Sequence, residues 1–121
     1  MSLRPVKSLD KSALVNLYNI GGKEFLLRMI DSFLLNTPTR VKTARGHLER
    51  KDWKSVHLIA HSLRASAANI GTVAVREMAE QLEEMASLGM EEDLLQGLER
   101  LELVLVDALR SLKQERDQWE L

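Results

Sequence analysis

His61 and the residues that follow it are of types that can handle a phosphoryl group. On a helix, positions i+3 and i+4 are the surface neighbours of position i, and here they are Arg64 and Ala65. A neutral imidazole, with an unperturbed pKa of about 6.5, is a good nucleophile near neutral pH. A guanidinium can bind phosphate oxygens through charge-assisted hydrogen bonds. The spacing therefore predicts a surface site that carries a phosphoryl group, beside a small residue that leaves room for a partner protein.

The chain has no sequence motif that binds nucleotide phosphates. It contains no glycine-rich phosphate loop, no GxxxxGKS/T pattern and no strand–turn–helix nucleotide site. We therefore expect a phosphocarrier with no autonomous ATP-dependent activity and no cofactor of its own. A partner protein has to supply the phosphoryl group, together with the Mg²⁺ that neutralises charge during in-line transfer.

Length and composition favour one all-helical domain over residues 1–121. Aromatic residues make up only 4% of the chain, whereas residues that favour helices abound. The net charge of −1 indicates no general surface for nucleic acid or membranes. The chain has no cysteine for disulfides or thiolate metal sites, and its apolar stretches are far shorter than the roughly 20 residues of a membrane helix. We expect a cytoplasmic monomer without membrane insertion.

Glycine and proline divide the first half of the chain into helical segments. Asp10 can cap a short helix that extends through Ile20 and ends at Gly21–Gly22. Its predicted buried side consists of Leu14, Leu17 and Tyr18. A second helical pattern continues to Leu48. We expect Pro38 to interrupt or kink it, because proline lacks a backbone N–H donor and disfavours helix in the preceding residue.

The second half of the chain reads as three further helices. Asp52 is a good cap for the helix that carries His61, and Gly71 ends that helix. A short break near Gly89 precedes the last helix, from about Glu91 to Gln118. Because short connections join antiparallel neighbours, the pattern predicts an all-α, up-down antiparallel four-helix bundle. The short N-terminal helix is expected to pack across one end of it.

The direction of His61 follows from helical periodicity. The apolar seam of its helix consists of Trp53, Val56, Ala60, Leu63, Ala67 and Ile70. At 100° per residue, His61 lies about 130° from the centre of this seam, so it should face solvent. Leu58, Ala65 and Ala68 fall on the same outward side, and Arg64 lies close enough to reach the imidazole. We interpret the three apolar residues as a docking stripe around His61.

Two other interpretations of these residues stay open. Exposed histidines and single exposed leucines are common in proteins and need no function. His57 and His61 are also spaced i, i+4, which permits weak Zn²⁺ binding. A dedicated zinc site needs three or four ligands, however, and the sequence offers no evident third one, since His47 belongs to another helix. We therefore predict no metal site.

At these residues the chain resembles the histidine-containing phosphotransfer (HPt) domain of bacterial multistep phosphorelays. The pattern of that family is His-x-Leu-Lys-Gly-Ser/Ala-Ala/Ser, then a glycine, then a helix that ends in Leu-Glu. The corresponding segments here are His61–Ala67, Gly71 and Leu82–Glu83. Three flanking segments are similar to the family too, namely Leu17–Gly22, Phe33–Arg40 and Lys51–Trp53. The resemblance therefore extends over roughly residues 10–111.

The resemblance implies a function and roles for three residues. His61 is the residue that is phosphorylated, Arg64 replaces a lysine that faces the phosphate, and Glu83 stands where a glutamine or glutamate often orients the imidazole. A plain surface carboxylate is an equal alternative for Glu83. The implied function is the relay of a phosphoryl group between receiver-domain aspartates in a bacterial two-component phosphorelay. The implied partners are response-regulator receiver domains, and a hybrid sensor kinase is a further candidate.

One departure from the family pattern keeps a second function open. Ala65 replaces the usual glycine, and its methyl group can crowd an approaching phosphoaspartate site. The alternative is therefore a module of the same fold that docks a receiver or kinase as a regulator without carrying phosphate.

Overall fold

The structure, a computed structural model, describes residues 9–121 as four α-helices joined by short turns. The helices are α1 (Lys11–Glu49), α2 (Trp53–Ile70), α3 (Val73–Leu88) and α4 (Glu91–Glu120). Each helix packs on the next along the chain, and α1 also packs on α4, which closes the bundle. The predicted all-α, up-down four-helix architecture is confirmed. No helix in the described part of the chain is both long and apolar enough to cross a membrane.

Gly22 divides α1 into a short and a long segment. Its backbone has φ 83° and ψ −175°, which lie outside the helical region, whereas the other residues of α1 keep helical dihedrals. A positive φ of this size is accessible to glycine without strain. The short helix predicted to end at Gly21–Gly22 is therefore present as residues 11–21.

The short segment packs across one end of the bundle. Its first turn meets the turn between α2 and α3, where the Asp10 N–H donates to the Gly71 carbonyl oxygen at 2.7 Å. Further along, Tyr18 lies against Trp119 near the end of α4, with 5.2 Å between ring centroids. Tyr18 is 44% exposed, so its predicted burial is wrong. The ring stacks on one aromatic neighbour at the surface rather than entering the core.

An interruption or a kink was expected at Pro38, and the interruption is absent because α1 continues through this residue. Its dihedrals stay helical, because the fixed φ of proline near −65° suits a helix. The cost is one backbone hydrogen bond, since proline has no N–H to donate to the carbonyl of Leu34. Thr37 and Val41 on either side are buried against the bundle. Tertiary packing therefore keeps the helix continuous where local preference predicts a break.

The core lies between the four helices, and each of them contributes aliphatic side chains. In α2 the predicted seam is buried from Val56 to Ile70, and Trp53 at its start is half-buried. Asp52 caps this helix as predicted, since it accepts hydrogen bonds from the N–H and hydroxyl of Ser55. These two bonds also lower the pKa of the Asp52 carboxyl group below its ordinary value. Because one side of α2 is held in the core, its opposite side faces outward.

Candidate functional site

His61 lies on the outward side of α2, with 59% of its side chain exposed. Its neighbours Ala60 and Leu63 are 2% and 1% exposed and belong to the core. Packing of these residues fixes the rotation of α2 and hence the direction of His61. His61 therefore faces solvent, as the helical wheel predicted.

Glu83 reaches His61 from the neighbouring helix. The turn at Gly71 joins α2 and α3 as antiparallel neighbours, and the two residues lie at similar distances along the chain from that turn. His61 Nδ1 is 2.7 Å from Oε2 of Glu83, and Arg64 Nη1 is 3.2 Å from Oε1. The Glu83 side chain is only 13% exposed. Each carboxylate oxygen therefore has its own partner on α2.

The contact with Glu83 determines which ring nitrogen of His61 is free. An ionised carboxylate can only accept hydrogen bonds, so Nδ1 of His61 carries the proton and donates it. In the neutral ring Nε2 then has a lone pair. Nε2 has no hydrogen bond or ion pair within residues 9–121. An unprotonated nitrogen on a solvent-exposed ring is a nucleophile open to a partner protein.

Arg64 is paired with Glu83 rather than directed freely at solvent. Its side chain is 39% exposed, so part of the guanidinium is accessible beside the imidazole. Arginine has five N–H donors, and one contact with Oε1 leaves others for a phosphate. The phosphate-facing role that the resemblance implies for Arg64 stays a prediction.

His57 also contacts Glu83, although the sequence suggested it only as a metal ligand. Its Nδ1 is 3.1 Å from the main-chain oxygen of Glu83, and its Nε2 is 4.0 Å from Oε2. His57, His61 and Arg64 are spaced i, i+4 and i+7, and this spacing indicates that they share one face of α2. No group of three or more metal-ligating side chains is found in the described range. The two histidines converge on Glu83 instead.

The predicted docking stripe is exposed around His61. Leu58 is 58% exposed, and Ala65 and Ala68 also face solvent. A large exposed leucine and two exposed alanines give an apolar surface on the side of α2 that carries the imidazole. That these three residues contact a partner stays a prediction.

Arg40 was not identified from the sequence. It extends from α1 to the other side of α2, where its Nη1 donates to the hydroxyls of Ser62 at 3.0 Å and Ser66 at 3.3 Å. In the part of the chain that the structure describes, Arg40 has no carboxylate partner. A cleft of about 90 Å³ lies beside it between α1 and α2, and Ser66 and Asn69 line the α2 side. No spacing rule in the sequence pointed to this contact between helices.

Comparison with known proteins identifies the family. Residues 28–118, three quarters of the chain, match the family described as Hpt domain. The phosphorelay intermediate protein rdeA of Dictyostelium discoideum is 30% identical over 79 residues, which are 65% of this chain and 31% of that protein. The chain thus spans about a third of the length of this relative.

A solved structure has the same fold. The crystal structure of histidine-containing phosphotransfer protein B (HptB) from Pseudomonas aeruginosa PAO1 superposes with a TM-score of 0.87. The match covers 94% of this chain and 98% of the other, at 24% sequence identity. With the family match over most of its length, and with a histidine exposed on the second helix of a four-helix bundle, this chain belongs to the Hpt domain family.

Proposed function

We propose that this protein is a histidine phosphocarrier that relays a phosphoryl group between receiver-domain aspartates of a phosphorelay. One observation carries the proposal. His61 Nδ1 lies 2.7 Å from Glu83, so that in the neutral ring the proton is on Nδ1 and Nε2 has a free lone pair on an exposed surface. Membership of the Hpt domain family and similarity to a protein named as a phosphorelay intermediate support the same conclusion.

The arrangement suits an in-line transfer. Nε2 of His61 attacks the phosphorus of an aspartyl phosphate on the partner. The N–P bond forms while the P–O bond to the aspartate breaks, and the carboxylate leaves with its electron pair. The Nδ1 proton stays in place, so the imidazole becomes a phosphorylated cation. The Glu83 carboxylate at 2.7 Å stabilises the positive charge that develops on the ring.

Other groups near the ring would act on the phosphoryl group or on the partner. Arg64 can donate to the phosphoryl oxygens while it keeps its contact with Glu83. Leu58, Ala65 and Ala68 would meet the rim of the partner's active site. The receiver domain would contribute the aspartate and the Mg²⁺, since phosphoryl transfer needs a cation to neutralise charge. We place this chemistry in the cytoplasm.

A docking module without phosphate is the less favoured function. Such a module needs an exposed surface but has no need of a nucleophilic nitrogen or of a buried acceptor behind it. Here Glu83 is largely buried and holds the imidazole by a short hydrogen bond. An orienting carboxylate of this kind is expected where the histidine performs chemistry.

Intact-mass spectrometry tests the proposal. The protein is incubated with Mg²⁺ and a phosphorylated receiver domain, and we expect one added phosphate that is labile in acid and stable in base. His61→Gln should take up none while its circular dichroism spectrum stays helical.

His47→Gln is the matched control, because His47 lies on α1 and contacts Arg50 and Asp52 instead of Glu83. It should be phosphorylated as the wild type is. Two results contradict the proposal. One is phosphate uptake by His61→Gln, and the other is no uptake by the wild type from any of a panel of active receivers.

A further inference from the structure

His57 lies one helical turn before His61 and contacts the same residue of α3. Its Nδ1 is 3.1 Å from the main-chain oxygen of Glu83 and 3.0 Å from Oγ of Ser87. Its Nε2 is 4.0 Å from Oε2 of Glu83, the oxygen that accepts the hydrogen bond of His61. The transfer step uses no atom of His57, so these contacts have a different role.

The partners of Nδ1 determine the protonation of the His57 ring. A carbonyl oxygen can only accept, so His57 carries a proton on Nδ1 and donates it to the main-chain oxygen of Glu83. The Ser87 hydroxyl donates to the same main-chain oxygen at 3.1 Å. The lone pairs of Ser87 Oγ can therefore accept from the Nδ1–H group of His57. In the neutral ring Nε2 of His57 then lacks a proton. It does not compete with His61 for Oε2 of Glu83.

The Glu83 side chain lies against the face of α2 that carries His57, His61 and Arg64. The Glu83 side chain is 13% exposed, whereas His57 and Arg64 on either side of His61 are 38% and 39% exposed. These side chains of α2 cover the carboxylate from three successive positions of one helix face. The position of the carboxylate beside His61 therefore depends on where the main chain of α3 lies at Glu83.

We propose that His57 is a positioning residue for phosphoryl transfer. Its Nδ1–H group anchors the main chain of α3 at Glu83 and thereby places the Glu83 carboxylate beside His61. Glu83 in turn holds His61 in the tautomer that has Nε2 free. The proposal rests on the proposed role of His61 as the phosphoacceptor.

Two variants of His57 separate its hydrogen bond from its bulk. His57→Asn keeps a side-chain N–H close to the position of Nδ1, whereas His57→Leu has similar size and no donor. Nitrogen-15 NMR of the imidazole rings reports which nitrogen of His61 is protonated, and intact-mass kinetics with a phosphorylated receiver report the initial rate of transfer. Circular dichroism confirms that each variant is folded.

We expect His57→Leu to raise the fraction of His61 with a proton on Nε2 and to slow transfer about fivefold. This change equals about 1 kcal/mol at 1.36 kcal/mol per factor of ten. His57→Asn should restore both the tautomer and the rate to within about twofold, as expected when one neutral hydrogen bond is replaced by another. The control His47→Asn should alter neither quantity.

Two results overturn the positioning role. In the first, His57→Leu has the wild-type tautomer of His61 and the wild-type rate of transfer. In the second, His57→Asn loses as much of both as His57→Leu does. The tautomer is measured on unphosphorylated protein. It therefore tests the action of His57 on His61 even if the wild type accepts no phosphate, an outcome that would overturn the proposed function instead.

Discussion

Glu83 is a common partner for three side chains of α2. It accepts a hydrogen bond from His61, pairs with Arg64 and lies beside His57. The sequence left two roles for Glu83, a surface carboxylate or an acceptor that orients the imidazole. Its burial and its short contact with Nδ1 support the second role. The chemistry of the exposed histidine thus depends on a residue of a different helix.

Replacing Glu83 should slow transfer while the fold persists. Glu83→Ala removes the acceptor for His61, and hydrogen bonds to charged groups contribute about 1.5–3 kcal/mol. We therefore expect a rate lower by about tenfold to a hundredfold, measured as the initial uptake of phosphate by intact mass. Glu83→Gln keeps a neutral acceptor oxygen and should give an intermediate rate.

The neighbouring Glu84 provides the matched control for this series. It is exposed on α3 and has no contact with the cluster of His57, His61, Arg64 and Glu83. Glu84→Ala should transfer at the wild-type rate. A Glu83→Ala variant that is equally fast would show that the carboxylate has no part in the reaction.

The turn between α2 and α3 sets the geometry of the site at the scale of elements. Gly71 ends α2 with φ 87°, and its N–H donates to the Ala67 carbonyl. A Cβ at this position would lie 2.4 Å from the main-chain oxygen of Asp10. Glycine is therefore required both by the left-handed conformation and by the approach of the short N-terminal segment.

Gly71→Ala should destabilise the protein more than Gly89→Ala. Both glycines end a helix in the left-handed conformation, so Gly89 is the matched control. Gly89 has φ 64° and open space where the methyl group of an alanine would lie, so only the left-handed conformation costs energy, about 1–2 kcal/mol. At Gly71 the clash with Asp10 adds to that cost, and we expect a loss of about 2–4 kcal/mol. Urea unfolding measures both values, and equal losses would contradict the close approach.

Local patterns predicted most of the elements, and the failures have identifiable causes. The cap at Asp52 and the stops at Gly71 and Gly89 act within one turn of chain, so their residue types suffice to locate them. The interruption that was one of the two outcomes expected at Pro38 is absent, because burial of its neighbours outweighs one lost hydrogen bond. The burial predicted for Tyr18 is wrong because periodicity shows which side of a helix is apolar but not what covers it.

At the scale of the whole molecule, α1 and α4 are joined by ion pairs as well as by the core. Arg45 of α1 forms a two-pronged contact with Glu102, at 3.1 Å and 2.6 Å. Nearer the other end of the bundle, Arg116 of α4 contacts Asp31. The two pairs lie at different levels of the bundle and add contacts to the register that the core sets for these helices.

We expect the protein to be a monomer in solution. All four helices bury their apolar seams against one another, so the core is completed by one chain. Light scattering after size exclusion should give a mass near 13.8 kDa both before and after phosphorylation. A mass of twice that value would show that a further surface is used between copies.

Sequence alone determined the helical class, the outward direction of His61 and the residues that flank it, because periodicity and caps are properties of a few adjacent residues. Tertiary structure decided that the carboxylate of Glu83 lies between His61, Arg64 and His57. Their contacts depend on the rotation and register of α3 against α2, which the whole core and the Gly71 turn set together. A single carboxylate shared by three side chains of another helix is therefore visible only in the folded molecule.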